Sequence, residues 1–153
     1  MAHKVVKFVN QSNNPNPSRA TSGSSGVDLA AAEEVIIKPG ETKVIKTGIF
    51  IEIQKGWEGQ IRSRSGMAAK HSVHVLNSPG TIDSDYREEV KVILHNSGNS
   101  YYKVEYGDRI AQMVIAPVDM SDWQELMYLE DLSQPSELEN TPTRSGGFGH
   151  TGK

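Results

Sequence analysis

The chain of 153 residues contains no cysteine. That absence excludes disulfides, thiolate metal sites and a cysteine nucleophile, and it is compatible with a reducing compartment. No stretch approaches the length of a membrane span, and the apolar run within Met1 to Asn10 is too short for a signal peptide. A cytoplasmic protein is the expectation, with the nucleus left open. An excess of positive charge is missing too. Sixteen Lys and Arg against nineteen Asp and Glu leave a net charge of −3, and general nucleic-acid binding ordinarily needs a basic face. Neither nucleic acid nor a membrane is expected as a partner. The five histidines, His3, His71, His74, His95 and His150, show no HExxH or paired spacing. His71 and His74 stand three apart without carboxylates around them, so no histidine metal site is expected.

What is present suits one domain with a single core. Short β-branched runs recur: Val5 to Val9, Val35 to Lys38, Lys43 to Lys46, Val73 to Leu76, Val90 to Leu94, Tyr101 to Val104 and Ile110 to Val118. Ile49, Ile51 and Ile53 alternate with Phe50, Glu52 and Gln54, a period of two. Gly56 to Gly59 has turn composition, and Gln60 to Arg64 continues extended. In Ile110 to Val118 both faces are mostly apolar, which predicts burial on both sides. Ser65 to Val73 is the best helix, with Ser65 as its cap. Gln11 to Gly26, rich in Asn, Pro, Ser and Gly, predicts a long loop too polar to pack. Asp122 to Leu129 fits a strand or one helical turn equally. Many short strands joined by Gly, Pro and Asn turns predict an all-β sandwich or barrel over residues 1–130. From Asp131 onward large apolar residues are scarce, so residues 131–153 predict a flexible C-terminal arm. Its Gly147 to Lys153 matches the spacing of a phosphate-binding P-loop, but no strand-and-helix context surrounds it, and that reading is rejected.

The segment Gly80-Thr81-Ile82-Asp83-Ser84-Asp85-Tyr86-Arg87 carries the most chemistry. It follows Asn77-Ser78-Pro79-Gly80, a turn signal, and leads into Val90 to Leu94. If Asp83 to Tyr86 is extended, Asp83 and Asp85 share a face, with Arg87 as a candidate counter-charge. A carboxylate so held can orient and deprotonate water. Tyr86 offers a flat apolar face with a polar tip, suited to stacking on a sugar or base.

Four further pieces stand in order with it: Ser25-Gly26-Val27-Asp28-Leu29, Arg64-Ser65-Gly66-Met67-Ala68, Gly107-Asp108-Arg109-Ile110-Ala111-Gln112, and Gly146 to Gly152. Together the five resemble the motifs of the trimeric deoxyuridine triphosphatase (dUTPase) family, over about Gly26 to Gly152. The resemblance implies a distorted jelly-roll barrel with one short helix, a homotrimer with active sites shared between subunits, and a magnesium-assisted hydrolysis of dUTP to dUMP and pyrophosphate. Asp83 then corresponds to the carboxylate that activates water for attack on the α-phosphorus. Asn77, the backbone of Gly80, Thr81 and Ile82, and the strand near Lys91 correspond to a uracil-reading hairpin, and Tyr86 to the ring beneath deoxyribose. Arg64, Ser65, Gly66 and Gln112 correspond to phosphate contacts, with Ser65 bonding the oxygen that bridges the α- and β-phosphorus. Asp28 corresponds to a residue acting on Mg2+ through water or holding motifs together, while Asp108 and Arg109 are expected to be structural. On the arm, Phe148 would stack on uracil, and Arg144, Gly149, His150 and Thr151 would close on the outer phosphates. The chain departs from the family pattern at Ser63, where Pro is usual, at Thr81, at Glu88, where Gly is usual, and in the four-residue step from Arg144 to Phe148. Two other functions remain open alternatives: a dCTP deaminase-like enzyme, and a nucleotide-sensing or partner-binding regulator on the same fold.

Overall fold

The computed structural model describes residues 5–123. By its internal contacts the chain divides after Met120, and the described strands and helix all precede that point. In chain order they are β1 (Lys7–Asn10), β2 (Val27–Ala30), β3 (Val35–Ile37), β4 (Thr42–Glu52), β5 (Trp57–Arg62), α1 (Ser65–His71), β6 (Val73–Val75), β7 (Gly80–Ile82), β8 (Val90–Asn96), β9 (Tyr102–Val104) and β10 (Arg109–Pro117). They form two four-stranded sheets, β1-β4-β8-β6 and β2-β10-β5-β7, and a small β3-β9 pair. Every pairing is antiparallel. The architecture is a distorted jelly roll, as expected.

Inward-facing residues of the two large sheets meet in one core. Alternation builds it: in β8, Val90, Val92, Leu94 and Asn96 are buried, and between them Lys91 is exposed and Ile93 and His95 are half-buried. Ile45, Ile49 and Ile51 of β4, Ile61 of β5, and Ile110, Ala111 and Met113 of β10 are among the other residues of the interior. The second face of β10 is less covered than expected, since Gln112, Val114 and Ala116 are only half-buried. The buried polar residue Asn96 is fully bonded, donating to the Ile37 and Ser100 carbonyls and accepting from the Gly98 N–H. Among the described residues no buried side-chain polar atom lacks a partner, as a low-dielectric interior requires.

Three local expectations change. The run Lys43 to Lys46 and the run from Ile49, as far as Glu52, join in the single strand β4, whose register against β8 shifts between Lys46 and Ile49; Ile53 lies just past its end. Thr47 and Gly48 form the bulge, Gly48 with φ +70°. A Cβ on Gly48 would stand 2.8 Å from the Ser12 Cβ and 2.9 Å from its backbone nitrogen, so no side chain fits. Trp57 to Gly59 belongs to β5 and not to a turn. The polar loop after β1 is docked, because hydrogen bonds replace apolar burial. Asn14 donates to the Ala31 carbonyl at 2.9 Å, and the Asn13 N–H reaches the Tyr106 hydroxyl at 2.8 Å. Most of Asp122 to Leu129, and all of 131–153, lie outside the described residues.

Candidate active site

Two groups of candidate residues occupy two different places on the chain. The first is where β2, β10 and β5 run side by side. Asp28 is opposite Gln112, and Gln112 is opposite Arg62. The chain leaves β5 through Ser63 and Arg64 into α1. The Asp28 carboxylate joins two guanidinium groups, Arg64 Nε at 3.3 Å from Oδ1 and Arg109 Nη1 at 3.2 Å from Oδ2. Arg64 Nη1 also donates to the Arg109 carbonyl at 3.0 Å. Gln112 Nε2 donates to the Ser63 carbonyl at 3.1 Å. Three motifs far apart in sequence are thereby tied to one another. Among the described residues the Asp108 side chain does not pair across motifs: it accepts the Glu105 N–H at 2.9 Å, a bond within its own turn, and it is Arg109 that reaches Asp28. A cleft of about 350 Å³ opens here, with Gly26, Asp28, Arg64, Ser65, Gly66 and Gln112 among its walls.

The helix start differs from expectation. Arg64, extended at φ −91° and ψ 126°, is the cap residue, and no side chain caps the helix. Ser65 is the first helical residue and is exposed. The Ala68 N–H makes the first helical turn's bond, to the Arg64 carbonyl at 3.1 Å. The N–H groups of Ser65, Gly66 and Met67 precede it and have no helical acceptor. The helix ends at His71, before Val73, where Ser72 turns left-handed at φ 55°. Ser63, the departure from the usual proline, accepts the Val75 N–H at 2.9 Å and so links this corner to β6.

The second place surrounds β7. Among the described residues this strand pairs only with β5 and forms one edge of its sheet, so its outer backbone groups have no ladder partner among them. Asn77 lies against Gly80. A Cβ there would stand 2.9 Å from Asn77 Nδ2, so the amide keeps its position only because residue 80 is glycine. Lys91 is exposed on β8, in the other large sheet, opposite Lys46. Asp83 to Tyr86 is not extended. The Tyr86 N–H bonds the Asp83 carbonyl at 3.1 Å, which closes a turn. Arg87 is committed elsewhere than expected: its Nη1 donates to the Ser84 and Tyr86 carbonyls, stabilising the turn. Asp83 and Asp85 are exposed and share a cleft with Glu58, Trp57 and Arg87. Tyr86 is half-buried, and its hydroxyl donates to the Glu89 carbonyl at 2.9 Å. Burial pushes that hydroxyl above its ordinary range, with Glu88 and Glu89 adding to the effect, so it remains a donor at neutral pH.

The two clefts have no wall residue in common. Strand register indicates the separation. Ile82 faces Gly59, and the chain turns to Asp83 beyond it, whereas Ser65 follows the opposite end of β5, past Arg62. At roughly 3.3 Å per residue, Gly59 to Arg62 alone spans about 10 Å. The sequence also hid a pairing of histidines. His74 and His95 face each other across β6 and β8 with ring centroids 5.6 Å apart, and Thr42 and Ser97 hydroxyls bond their Nδ1 atoms. Among the described residues, no group of three or more His, Asp or Glu could hold a metal ion. Glu89 and Thr47 stand outside the motifs, yet both bond the segment after β7: the Glu89 carbonyl accepts the Tyr86 hydroxyl, and the Thr47 hydroxyl donates to the Val90 carbonyl. Arg144, Phe148, Gly149, His150 and Thr151 lie outside the described residues.

Comparison with known proteins accords with this geometry. The dUTPase family model matches residues 12–152. A deoxyuridine 5'-triphosphate nucleotidohydrolase of Ehrlichia canis (strain Jake) is 49% identical over 97% of this chain and 94% of its own. One from Nautilia profundicola is 50% identical, over 90% of each chain. Among solved structures, a mutant dUTPase of Staphylococcus bacteriophage 80alpha with dUpNHpp superposes with a TM-score of 0.79 at 24% identity, over 97% of this chain and 99% of that one. A mutant dUTPase of phage phi11 of S. aureus, described with a structural Mg(II) ion, gives 0.75 at 23% identity over 83% of this chain and 99% of that one. The chain belongs to the dUTPase family.

Proposed function

We propose that this protein hydrolyses dUTP to dUMP and pyrophosphate, and that it does so as a homotrimer whose active sites combine residues of different subunits. The reading rests above all on β7, which is an edge strand among the described residues and leads directly into Asp83. A free backbone edge presents a donor and an acceptor in fixed order. It pairs with uracil and mismatches cytosine, and an unpaired buried polar group costs the wrong base on the order of 1–3 kcal/mol. In this reading Asn77, Gly80, Thr81, Ile82 and the strand at Lys91 hold the base, and Tyr86 lies beneath the sugar. Asp83 takes the proton of a water aimed at the α-phosphorus, and the P–O bond to the pyrophosphate breaks.

The groups suited to phosphate are in the other cleft. Arg64 supplies a guanidinium, Gln112 an amide, and the start of α1 free N–H groups at Ser65 and Gly66. Ser65 donates to the bridging oxygen as charge develops on it. Because Asp83 and Ser65 of one chain stand in separate clefts, a single site containing both draws them from two copies. Exposed apolar side chains such as Val9, Val44, Leu76 and Tyr101, each more than half accessible, supply surface for such copies to cover.

Magnesium fits this reading as a companion of the triphosphate. Both Asp28 oxygens face guanidinium groups, and Mg2+ ordinarily retains waters and binds substrate phosphates. Asp28 then acts on it through water, and chiefly aligns Arg64 and Arg109. When bound, the ion supplies neutralisation of phosphate charge. Residues 131–153 act as the arm that closes over the site, Phe148 stacking on uracil, and Arg144, Gly149, His150 and Thr151 meeting the outer phosphates, which excludes bulk water. Release of pyrophosphate from dUTP, without ammonia from dCTP, tests the reading; ammonia release would transfer the chain to the deaminase alternative.

A further inference from the structure

The segment between β7 and β8 ends in a clasp. Tyr86 donates its hydroxyl to the Glu89 carbonyl at 2.9 Å, and Glu89 Oε1 accepts the Gly48 N–H at 2.9 Å. The next carbonyl, Val90, accepts the hydroxyl of buried Thr47, and Thr47 Oγ1 in turn accepts the Ile49 N–H at 3.1 Å. Thr47 and Gly48 are the β4 bulge, held from its far side by the Gln11 N–H on the Gly48 carbonyl at 2.8 Å and by the close approach of Ser12. By contrast, the Tyr86 N–H and the Arg87 guanidinium bond within the turn itself. Glu89 therefore links the locally bonded turn, through its side chain on Gly48, to a bulge that is bonded on both sides. Its bond to Gly48 is charge-assisted, the stronger kind.

We infer that Glu89 is a positioning residue for sugar selectivity: by anchoring the Tyr86 hydroxyl to the Thr47-Gly48 bulge it fixes the ring that excludes a 2′-hydroxyl. This inference rests on the reading of Tyr86 as the ring beneath deoxyribose. A tyrosine ring has few internal rotations, so a bond at its hydroxyl end fixes the height and tilt of the whole face. Selectivity against an added hydroxyl by packing alone is of order 100-fold, and it disappears as soon as the ring can yield. The role reaches the substrate through Tyr86, not by contact.

The test compares kcat and KM for dUTP and UTP in the full-length protein and two variants. Glu89→Gln keeps an oxygen for the Gly48 N–H and is expected to retain the dUTP-over-UTP preference within about twofold, while Glu89→Ala loses about tenfold of it, mainly through KM. A folded Glu89→Ala protein with unchanged preference overturns the inference. So does one that loses activity on both nucleotides in equal proportion, the mark of a merely structural residue. Should Glu89→Ala not fold, Glu89→Asp, one methylene too short for Gly48, carries the same expectation; failure of both to fold makes Glu89 a stability residue and also overturns it. If the unmodified protein does not hydrolyse dUTP at all, the reading of the site fails, a result separable from any of these.

Discussion

Asp83 stands exposed at the first position of a turn, which suits a base that must meet water and a phosphorus brought from elsewhere. General-base catalysis contributes about 10²- to 10⁴-fold. Asp83→Asn should lower kcat by that order while dUTP still binds, as calorimetry would register; near-normal turnover removes Asp83 from the assignment. Ser65 is exposed at the first helical position, with no capping duty. Ser65→Ala is therefore expected to leave the melting temperature nearly unchanged and to lower kcat about 10²-fold, the worth of one donor at a developing negative charge. A large loss of stability in that variant would show that the hydroxyl holds the fold instead.

At the scale of elements, the alternating runs were plain from the residues alone. Ile49, Ile51 and Ile53, or Val90, Val92 and Leu94, can bury one face only as strands. β7 was not apparent, because three residues, Gly80, Thr81 and Ile82, are too few to display a period, and it is their pairing with β5 that makes them a strand. The Asp28, Arg64 and Arg109 cluster had no local signature either, since its members meet only when β2, β10 and the β5–α1 corner converge. Gly48 fell between the runs Lys43 to Lys46 and Ile49 to Ile53, and its part as a bulge emerged only when β4 joined them. Charged groups in and flanking the strands contribute to the response to pH. Glu41 is held below its usual range by the Lys38 N–H and by Lys43, and Glu105 by Lys103, whose own ammonium is raised. A lowered carboxylate stabilises the fold above its unfolded pKa, and that contribution is lost as pH falls through the folded one. The raised Lys103 contribution is complete below its unfolded pKa and lost as pH rises through the folded one. Lys103 and Glu105 are exposed and Glu41 is half-buried at the surface, so solvent screening keeps the changes small. Melting curves from pH 7 to pH 3 are expected to decline less for Glu105→Gln than for the parent; parallel declines would show that the pair contributes nothing.

For the whole molecule, the proposed division of the site between two clefts can be tested by mixing subunits. Asp83→Asn and Ser65→Ala subunits, each nearly inactive alone, should regain activity when unfolded and refolded together. With random assembly and each site drawing these residues from different subunits, about a quarter of the sites receive both intact residues. No recovery would indicate that each chain completes its own site. Deletion of residues 141–153 should leave a folded trimer with little activity, and sedimentation together with turnover would register both. The most direct measurement is an assay of the purified protein with magnesium on dUTP, dCTP, dTTP and UTP, with pyrophosphate and ammonia both followed. Rapid pyrophosphate release from dUTP alone, without ammonia from any of the four, is the expected result. An uncleaved dUTP, or equal cleavage of dUTP and dCTP, would contradict the assignment of a uracil-reading strand edge beside the carboxylate of Asp83.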